Sequence, residues 1–253
     1  MTPNVTAVYA GLLLARLGAF VAVMPLFSAR TPRSVRAAFA VALAAFYLGT
    51  APTKLAPGTP LGTVTEIESL RYALALARET LLGAAMGFVF GLFQLPARIA
   101  GEFITTQIGL NGTPLPGPTG ADSAGPVTTA FETMAGFVFL AADGHHVVLA
   151  ALHASFATFP LGGATLPEVG PAVTGLTTAY EMGLLLAGPL ALCLFLLAVT
   201  LAIMARAAPQ LSIYSVGFSL QVLVVLFGTL FLLPEMVLTA YAITGRLGAW
   251  LTF

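Results

Sequence analysis

Charged residues are scarce in this sequence, and their scarcity excludes most soluble proteins. Only 8% of the 253 residues are charged, whereas 58% are hydrophobic. Because soluble domains are about a quarter charged, this composition indicates an integral membrane protein. Ten basic residues balance ten acidic ones. A chain without an excess of positive charge lacks the basic face that holds phosphates, so we expect no nucleic-acid partner.

Cysteine and enzyme signatures are also lacking. The single cysteine, Cys193, lies in an apolar run, which excludes a disulfide framework and a metal site built from several thiolates. The sequence contains no GxSxG motif, no P-loop and no GxGxxG motif. We therefore predict that the chain is not an enzyme and that it binds no cofactor and no nucleotide.

Histidine occurs three times, twice close to Asp143. His145 and His146 are adjacent, and adjacent residues on a helix point about 100° apart. His153 shares a helix face with His146 only after two turns, and no HExxH or comparable ligand spacing is present. We therefore predict no metal site and interpret Asp143 with the two histidines as a polar turn between helices.

Long apolar stretches are what the sequence does contain. A helix that spans a bilayer needs about 20 mostly apolar residues, and the candidate stretches are 5–27, 35–50, 70–95, 127–159, 174–205 and 210–243. They predict an all-α polytopic membrane protein built from helical hairpins. Asp143 and Gly144 interrupt the fourth stretch and predict two half-length helices folded back as a hairpin. Pro189 and Pro234 predict a kink or a break in the last two stretches.

Several ionisable residues lie within these apolar stretches. They are Arg16, the adjacent pair Arg78 and Glu79, and Glu132 and Glu181. Each such group costs a few kcal/mol at the centre of a bilayer, so it should face protein, water or another such group. A proton or ion path is one interpretation. The other is an inter-helix salt bridge, or a segment that never lies at full bilayer depth. This second interpretation is favoured because nothing in the sequence pairs these residues.

The third stretch carries three glycines spaced by four in the motif GAAMGFVFG. Gly83, Gly87 and Gly91 therefore lie on one helix face. Small residues at this spacing let a second helix approach closely. The pattern predicts close packing, either against another helix of this chain or at a subunit interface.

The segment 109–126, GLNGTPLPGPTGADSAGP, differs from everything around it. Half of its residues are glycine or proline, and Asp122 is its only charged residue. This composition excludes a helix. Irregular backbone inside a membrane assembly is tolerated only where protein buries it or where it lines water. A flexible exposed connector is the alternative interpretation.

Five motifs follow one another along nearly the whole chain: VMPLFSARTPRSVRAAFAVALA, RETLLGAAMGFVFG, AGEFITTQIGL, GHHVVLAALHASFATFPLGG and RAAPQLSIYSVGFSLQ. Each is weak alone. In this order they resemble the FliR family, the flagellar export-gate proteins related to SctT of virulence type III secretion. The last two motifs are more similar to the flagellar branch than to the virulence branch.

The resemblance implies a fold, partners and a location. A FliP-like part at about 1–173 would be followed by a FliQ-like hairpin at about 174–253 within a single export-gate membrane domain. Expected partners are FliP-like and FliQ-like membrane subunits in a hetero-oligomer, a FliB/FlhB-type gate subunit, rod proteins and unfolded export substrates. The implied location is the bacterial inner membrane at the flagellar basal body, raised toward the periplasm when assembled.

The resemblance also implies site residues, because the family's segment after the Gln-x-Gly-Leu motif projects into the export channel and helps to plug it. The plug expected here comprises Gly109, Leu110, Gly112, Pro114, Leu115, Pro116, Gly117, Pro118, Gly120, Asp122, Gly125 and Pro126. Inter-helix polar contacts are expected at Glu79, Glu102, Gln107, Arg206 and Gln210. The segment departs from the family in two respects. The usual loop carries more apolar residues, whereas this one has Leu110 and Leu115 alone, and Asp122 precedes Ser123 where the usual loop has an Asp-Pro step.

The predicted function is a component of the flagellar type III export gate that forms part of the conduit for unfolded axial proteins, with the Gly/Pro-rich segment as its plug. One alternative is a small-solute secondary transporter with Arg16, Arg78 and Glu79 near its site, although the sequence has no convincing inverted repeat. The other is a purely structural assembly subunit.

Overall fold

The fold was obtained as a computed structural model, which describes residues 3–25, 31–50, 66–109, 125–163, 168–207 and 213–251. All the elements in these ranges are α-helices, as the apolar stretches predict. They are α1 (Pro3–Val23), α2 (Arg33–Thr50), α3 (Glu66–Gly91), α4 (Leu95–Gln107), α5 (Pro126–Ala141), α6 (Gly144–Thr158), α7 (Gly170–Ala207) and α8 (Ile213–Leu251).

Four of these helices contain a segment long and apolar enough to cross a bilayer. The segments are Thr6–Val23, Leu70–Gly91, Gly170–Ala207 and Gly217–Ile243. A fifth crossing is counted if α5 and α6 form one broken span. The polytopic all-α class is therefore confirmed for the described part of the chain. The count is lower than the six apolar stretches because α2, which begins at Arg33, does not qualify.

Two helix boundaries follow from single residues. Asp143 adopts the left-handed conformation with φ 55°, between the end of α5 and the start of α6. Asp tolerates this conformation better than most residues, so the break predicted there is present. The helix α4 was not predicted as a separate element. A turn at residues 92–94 separates it from α3, and Pro96 lies in its first turn, where a missing N–H is harmless.

The two internal prolines do not end their helices. Pro189 lies inside α7 and Pro234 inside α8, and both helices continue past them. A break at either position was one of the predicted outcomes, and it is not found. Each proline nevertheless removes one backbone hydrogen bond from its helix.

The first of two compact units comprises Met1–Leu92, Asp143–Gly175 and Arg246–Phe253. In its described residues α1 packs along α3 and also contacts α2. Phe20 and Phe90 meet edge to face, with their ring centroids 5.7 Å apart. Other fully buried side chains of this unit are Leu12, Leu13, Leu17 and Leu152.

The second unit comprises Phe93–Ala142 and Leu176–Gly245. Here α4 packs against α5, and Phe93 stacks on Phe139 with ring centroids 4.1 Å apart. α7 and α8 form a long antiparallel hairpin, in which Gly228 faces Leu190 and Gly217 faces Leu201. Both compact units draw on residues before and after position 173. The two compact units therefore do not test the predicted division into a FliP-like and a FliQ-like part, and that division stays a prediction.

Candidate functional site

The predicted plug segment, 109–126, joins the C-terminus of α4 to the N-terminus of α5. Of its predicted members, Gly109, Gly125 and Pro126 belong to the described residues. The others lie outside them: Leu110, Gly112, Pro114, Leu115, Pro116, Gly117, Pro118, Gly120 and Asp122. The two ends of the segment can therefore be examined directly.

Both ends of the segment have backbone geometry suited to their residues. Gly109 has φ 74°, and its N–H donates to the carbonyl of Thr106 at 3.2 Å. This left-handed conformation after a helix end is favourable for glycine, which has no Cβ. At the other end Gly125 is extended, and Pro126 is the first residue of α5. Proline suits this position because its fixed φ matches the helix and its missing N–H would have no partner there.

The last two turns of α4 pack against the start of α5 in a contact that we name the stem clasp, made of Gly101, Thr105, Gly125 and Thr128. A Cβ on Gly101 would lie 2.5 Å from the Cα of Thr128, and a Cβ on Gly125 would lie 2.6 Å from the Cγ2 of Thr105. A larger residue at Gly101 requires movement of the main chain at Thr128, and one at Gly125 requires the Thr105 side chain to shift. The clasp thus depends on two glycines, one on each side.

Hydrogen bonds complete the stem clasp. The Thr105 hydroxyl donates to the Gly101 carbonyl at 2.6 Å, and its oxygen lies 3.3 Å from the Thr128 hydroxyl. Both threonines are buried. Since the Thr105 proton is engaged, Thr128 is the donor between the two hydroxyls. The clasp therefore joins the last two turns of α4 to the start of α5.

A second polar site is buried in the first unit, where Arg16 of α1 meets Glu79 of α3. Arg16 Nε lies 2.5 Å from Glu79 Oε2, and the two residues are only 1% and 3% exposed. Arg16 also donates to the carbonyl of Phe159 at 2.9 Å and to that of Ser155 at 3.4 Å. The other oxygen of Glu79 accepts a hydrogen bond from the N–H of Gly162 at 2.9 Å. The network joins α1 and α3 to the end of α6.

Aromatic side chains cover this network. The Arg16 guanidinium lies 4.8 Å from the centroid of the Phe156 ring, within the range of a cation–π contact. Phe156 in turn packs against Tyr47 of α2, with ring centroids 4.8 Å apart. The pair is therefore sealed from solvent, and the two charges neutralise each other. Neither of these groups is presented to a solute.

The glycine stripe of α3 explains how Arg16 and Glu79 come together. A Cβ on Gly83 would collide with the carbonyl oxygen of Arg16, and one on Gly87 would lie 2.7 Å from the carbonyl oxygen of Phe20. A Cβ on Gly91 would lie 3.0 Å from the Cδ of Pro25. The stripe packs against α1 of the same chain, which was one of the two possibilities that the spacing left open.

The other predicted polar residues occupy different settings. Glu102 accepts from Arg98 Nε at 2.9 Å, and this pair lies within α4 and is about half exposed. Gln107 and Arg206 are exposed at the ends of α4 and α7, and Gln210 lies outside the described residues. An inter-helix role for these four residues stays a prediction.

An inter-helix contact that the sequence did not single out lies beside Glu102. Arg98 is also 3.8 Å from a carboxylate oxygen of Glu132 on α5. The Gln94 side chain donates to the main-chain carbonyl of Glu132 at 3.4 Å. The i,i+4 spacing predicts the Arg98–Glu102 pair within α4, but no sequence pattern predicts the contact of Arg98 with Glu132 of α5.

The α7–α8 hairpin presents an apolar surface that carries two carboxylates. Leu185 is 75% exposed and Phe231 is 85% exposed. Glu181 on α7 and Glu235 on α8 are both exposed. Because Gly228 lies opposite Leu190 in the antiparallel hairpin, Glu235 lies opposite residue 183. Residue 183 is two residues from Glu181, which is roughly 3 Å along the helix axis. The two carboxylates thus lie at nearly the same level of the hairpin.

Comparisons with known proteins support a family assignment. The family described as "Bacterial export proteins, family 1" matches residues 7–246. Flagellar biosynthetic protein FliR of Pectobacterium carotovorum subsp. carotovorum is 33% identical over 184 residues, 71% of this chain and 69% of the relative. FliR of Escherichia coli (strain K12) is 30% identical over 216 residues, 83% of this chain and 78% of the relative. Surface presentation of antigens protein SpaR of Shigella sonnei is 25% identical over 150 residues, 59% of each chain.

The family match includes the Arg16–Glu79 network, the stem clasp and nearly all of the α7–α8 hairpin. The flagellar relatives named above each align with more than two thirds of this chain. The chain therefore belongs to the FliR family of flagellar type III export proteins, which is related to virulence type III secretion.

Proposed function

We propose that this chain is a non-enzymatic component of the flagellar type III export gate in the bacterial inner membrane. It forms part of the conduit for unfolded axial proteins, and the segment 109–126 acts as the plug. The observation that carries the proposal is the stem clasp. It packs together the two helices, α4 and α5, that the Gly/Pro-rich segment connects.

The clasp supports a plug more than a simple connector. A connector between two helices needs no close packing at its ends, whereas a plug must return to the same place after each displacement. Two glycines and two buried threonines make the anchor points rigid. The Gly/Pro-rich interior gains little from any one conformation, so closed and open states can differ by only a few kcal/mol. A passing unfolded chain can supply that difference.

The α7–α8 hairpin supports a hetero-oligomer. α7 has 38 residues and α8 has 39, which makes each about 57 Å long, whereas the hydrocarbon core of a bilayer is about 30 Å thick. The apolar surface therefore extends beyond what lipid alone can cover. We infer that helices of FliP-like and FliQ-like subunits cover the remainder and that the assembled particle is raised toward the periplasm.

The exposed carboxylates support the same inference. Glu181 and Glu235 have no ion pair among the described residues. A charged side chain on an apolar helix face is costly in lipid. Basic or hydrogen-bonding side chains on a neighbouring subunit would remove this cost. A FliB/FlhB-type gate subunit and rod proteins are further partners in this proposal.

The proposal retains the two-part description of the chain, with a FliP-like part at about 1–173 and a FliQ-like hairpin at about 174–253. The long antiparallel pair α7 and α8 supports the second part, since it consists of two consecutive apolar helices joined at residues 208–212. The first part contains the network at Arg16 and the stem clasp.

A solute transporter is less well supported. Its proposed site residues were Arg16, Arg78 and Glu79. Arg16 and Glu79 are buried and paired with each other, whereas Arg78 is exposed on α3. These three side chains do not line a common cavity. The described residues therefore do not show the solute-binding site that a transporter needs at these positions.

Deletion of residues 113–124 tests the plug. The chain is co-produced with its partner subunits, and the purified complex is reconstituted into vesicles that hold a small dye and an ion indicator. We expect the deletion to leak both, because the stem clasp and the subunit contacts persist without the segment that closes the passage. A control variant replaces 113–124 by glycine and serine at the same length and should leak much less.

Native mass analysis of the same preparations reports assembly separately from leakage. A deletion complex that assembles and stays tight contradicts the plug and favours a purely structural subunit. A chain that purifies as a solute-binding monomer without helical membrane partners contradicts the export-gate proposal as a whole.

A further inference from the structure

We propose that Asp143, His145 and His146 bind one divalent first-row transition-metal ion, such as Zn²⁺, at the turn before α6. The ligand atoms of the three side chains all lie within 4.8 Å of one another. All three residues are exposed, so a hydrated ion can reach them without crossing the protein interior. This inference is independent of the proposed plug.

The conformation of the turn brings the three side chains together. Asp143 is left-handed and precedes the first residue of α6, and its carbonyl accepts a hydrogen bond from the N–H of His146 at 2.9 Å. Its carboxylate oxygen lies 3.6 Å from Nδ1 of His146. The imidazole rings of His145 and His146 have centroids only 4.1 Å apart. The Cβ atoms of consecutive helical residues point about 100° apart, so the two rings reach this short separation through their side-chain torsions.

The donor set selects a class of ion. Two imidazole nitrogens and one carboxylate oxygen suit Zn²⁺ and neighbouring first-row ions, whereas Mg²⁺ and Ca²⁺ prefer oxygen ligands alone. Zinc–ligand bonds of about 2.0–2.2 Å place ligand atoms roughly 3.3 Å apart around one ion. The present separations of up to 4.8 Å must therefore shorten by at most about 1.5 Å for all three side chains to bind one ion. Three protein ligands leave a position for water.

The charge of Asp143 is essential to the proposal. The N-terminus of a helix carries about half a positive charge, which repels a cation. The carboxylate of Asp143 contributes a full negative charge at the same place and outweighs it. The acidic residue and the two histidines therefore act together.

Titration of the purified chain with Zn²⁺ tests the site. The chain is held in mild detergent after removal of any histidine tag, and binding is followed by calorimetry and by the visible spectrum of the Co²⁺ complex. We expect one ion per chain. His145→Ala and His146→Ala should each weaken binding by about tenfold or more, because each removes one of only three protein ligands.

Two further variants control this experiment. His153→Ala removes an exposed histidine elsewhere on α6 and should leave the affinity unchanged. Asp143→Asn preserves a residue type that tolerates the left-handed backbone while removing the charge, so it should weaken binding and leave the fold intact. Thermal unfolding without metal checks that the four variants are folded.

The proposal is overturned by any of three results. The first is no binding of Zn²⁺ at high micromolar concentration. The second is an unchanged affinity in both His145→Ala and His146→Ala. The third is an equal loss in His153→Ala, which would indicate non-specific binding to surface histidines.

Discussion

Arg16 and Glu79 form a fully buried ion pair although 63 residues separate them in the chain. The close approach of α3 to the main chain at Arg16, which Gly83 permits, brings the two side chains into contact. Carbonyl groups of Ser155 and Phe159 satisfy further donors of the guanidinium. A charge buried this deeply is tolerated only when it is paired, so the first unit depends on both members.

Removal of one member of this pair should destabilise the chain strongly. We expect Glu79→Gln to lower the free energy of unfolding by about 3–5 kcal/mol, because the Arg16 charge is left buried without its partner. The double variant Arg16→Met/Glu79→Leu should recover most of the loss, since it leaves no buried charge. Unfolding in mild detergent, followed by circular dichroism, measures both effects.

Glu102→Gln is the matched control, because it removes the same charge from an exposed pair. The Arg98–Glu102 contact is a half-exposed i,i+4 pair of α4, and such pairs contribute about 0.5 kcal/mol or less. Equal effects of Glu79→Gln and Glu102→Gln would contradict the importance of the buried network.

A methyl group at Gly83 should be poorly tolerated. Its Cβ would collide with the carbonyl oxygen of Arg16, and a main-chain atom cannot move aside as a flexible side chain can. We expect Gly83→Ala to cost about 1–3 kcal/mol by overpacking and to lower the temperature of unfolding. Gly18→Ala is the control, because nothing lies within 4 Å of its Cβ position. That substitution should be neutral or stabilising by up to about 1 kcal/mol.

Opening the stem clasp should make the gate leak without removal of the plug segment. Gly101→Val forces α4 away from Thr128 and changes the separation of the ends of the segment. We expect dye leakage between that of the unchanged complex and that of the 113–124 deletion. Thr106→Val on the exposed face of α4 serves as the control and should not leak. A tight Gly101→Val complex would show that the clasp does not position the segment.

Reversing the charge at Glu235 should impair assembly more than folding. Glu235 is exposed on the apolar surface of α8, so Glu235→Lys disturbs no described contact within the chain. It would oppose a basic partner side chain instead of pairing with it. We expect less FliP-like and FliQ-like protein to co-purify, with an unchanged unfolding temperature of the isolated chain.

Glu168→Lys is the control for this reversal. Glu168 is exposed and precedes the start of α7, so the substitution makes the same change of charge away from the long hairpin. Full co-purification of the partners with Glu235→Lys would place the interface elsewhere.

Helix class and the helix break at Asp143 could be predicted from the sequence because they depend on local composition. Apolar stretches indicated the long helices, and Asp143 with Gly144 indicated the break between α5 and α6. The separate helix α4 was missed because its 13 residues are too few to span a bilayer. Its one local signal was Pro96 in the first turn.

Long-range pairing could not be predicted, because no local pattern encodes it. The spacing of Gly83, Gly87 and Gly91 indicated close packing but not that α1 is the neighbour. Arg16 and Glu79 were each recognised as costly in lipid, yet their contact depends on the path of two helices. The clustering of His145 and His146 was missed because helical spacing fixes the Cβ directions but not the side-chain torsions that bring the two ring centroids to 4.1 Å.

The prolines of the long hairpin have a mechanical consequence. In the register set by Leu190 and Gly228, Pro234 lies opposite residue 184, about 7.5 Å along the axis from Pro189. Each helix thus lacks a backbone hydrogen bond in the same short zone. The hairpin should therefore bend most easily in this zone, where both helices can bend together.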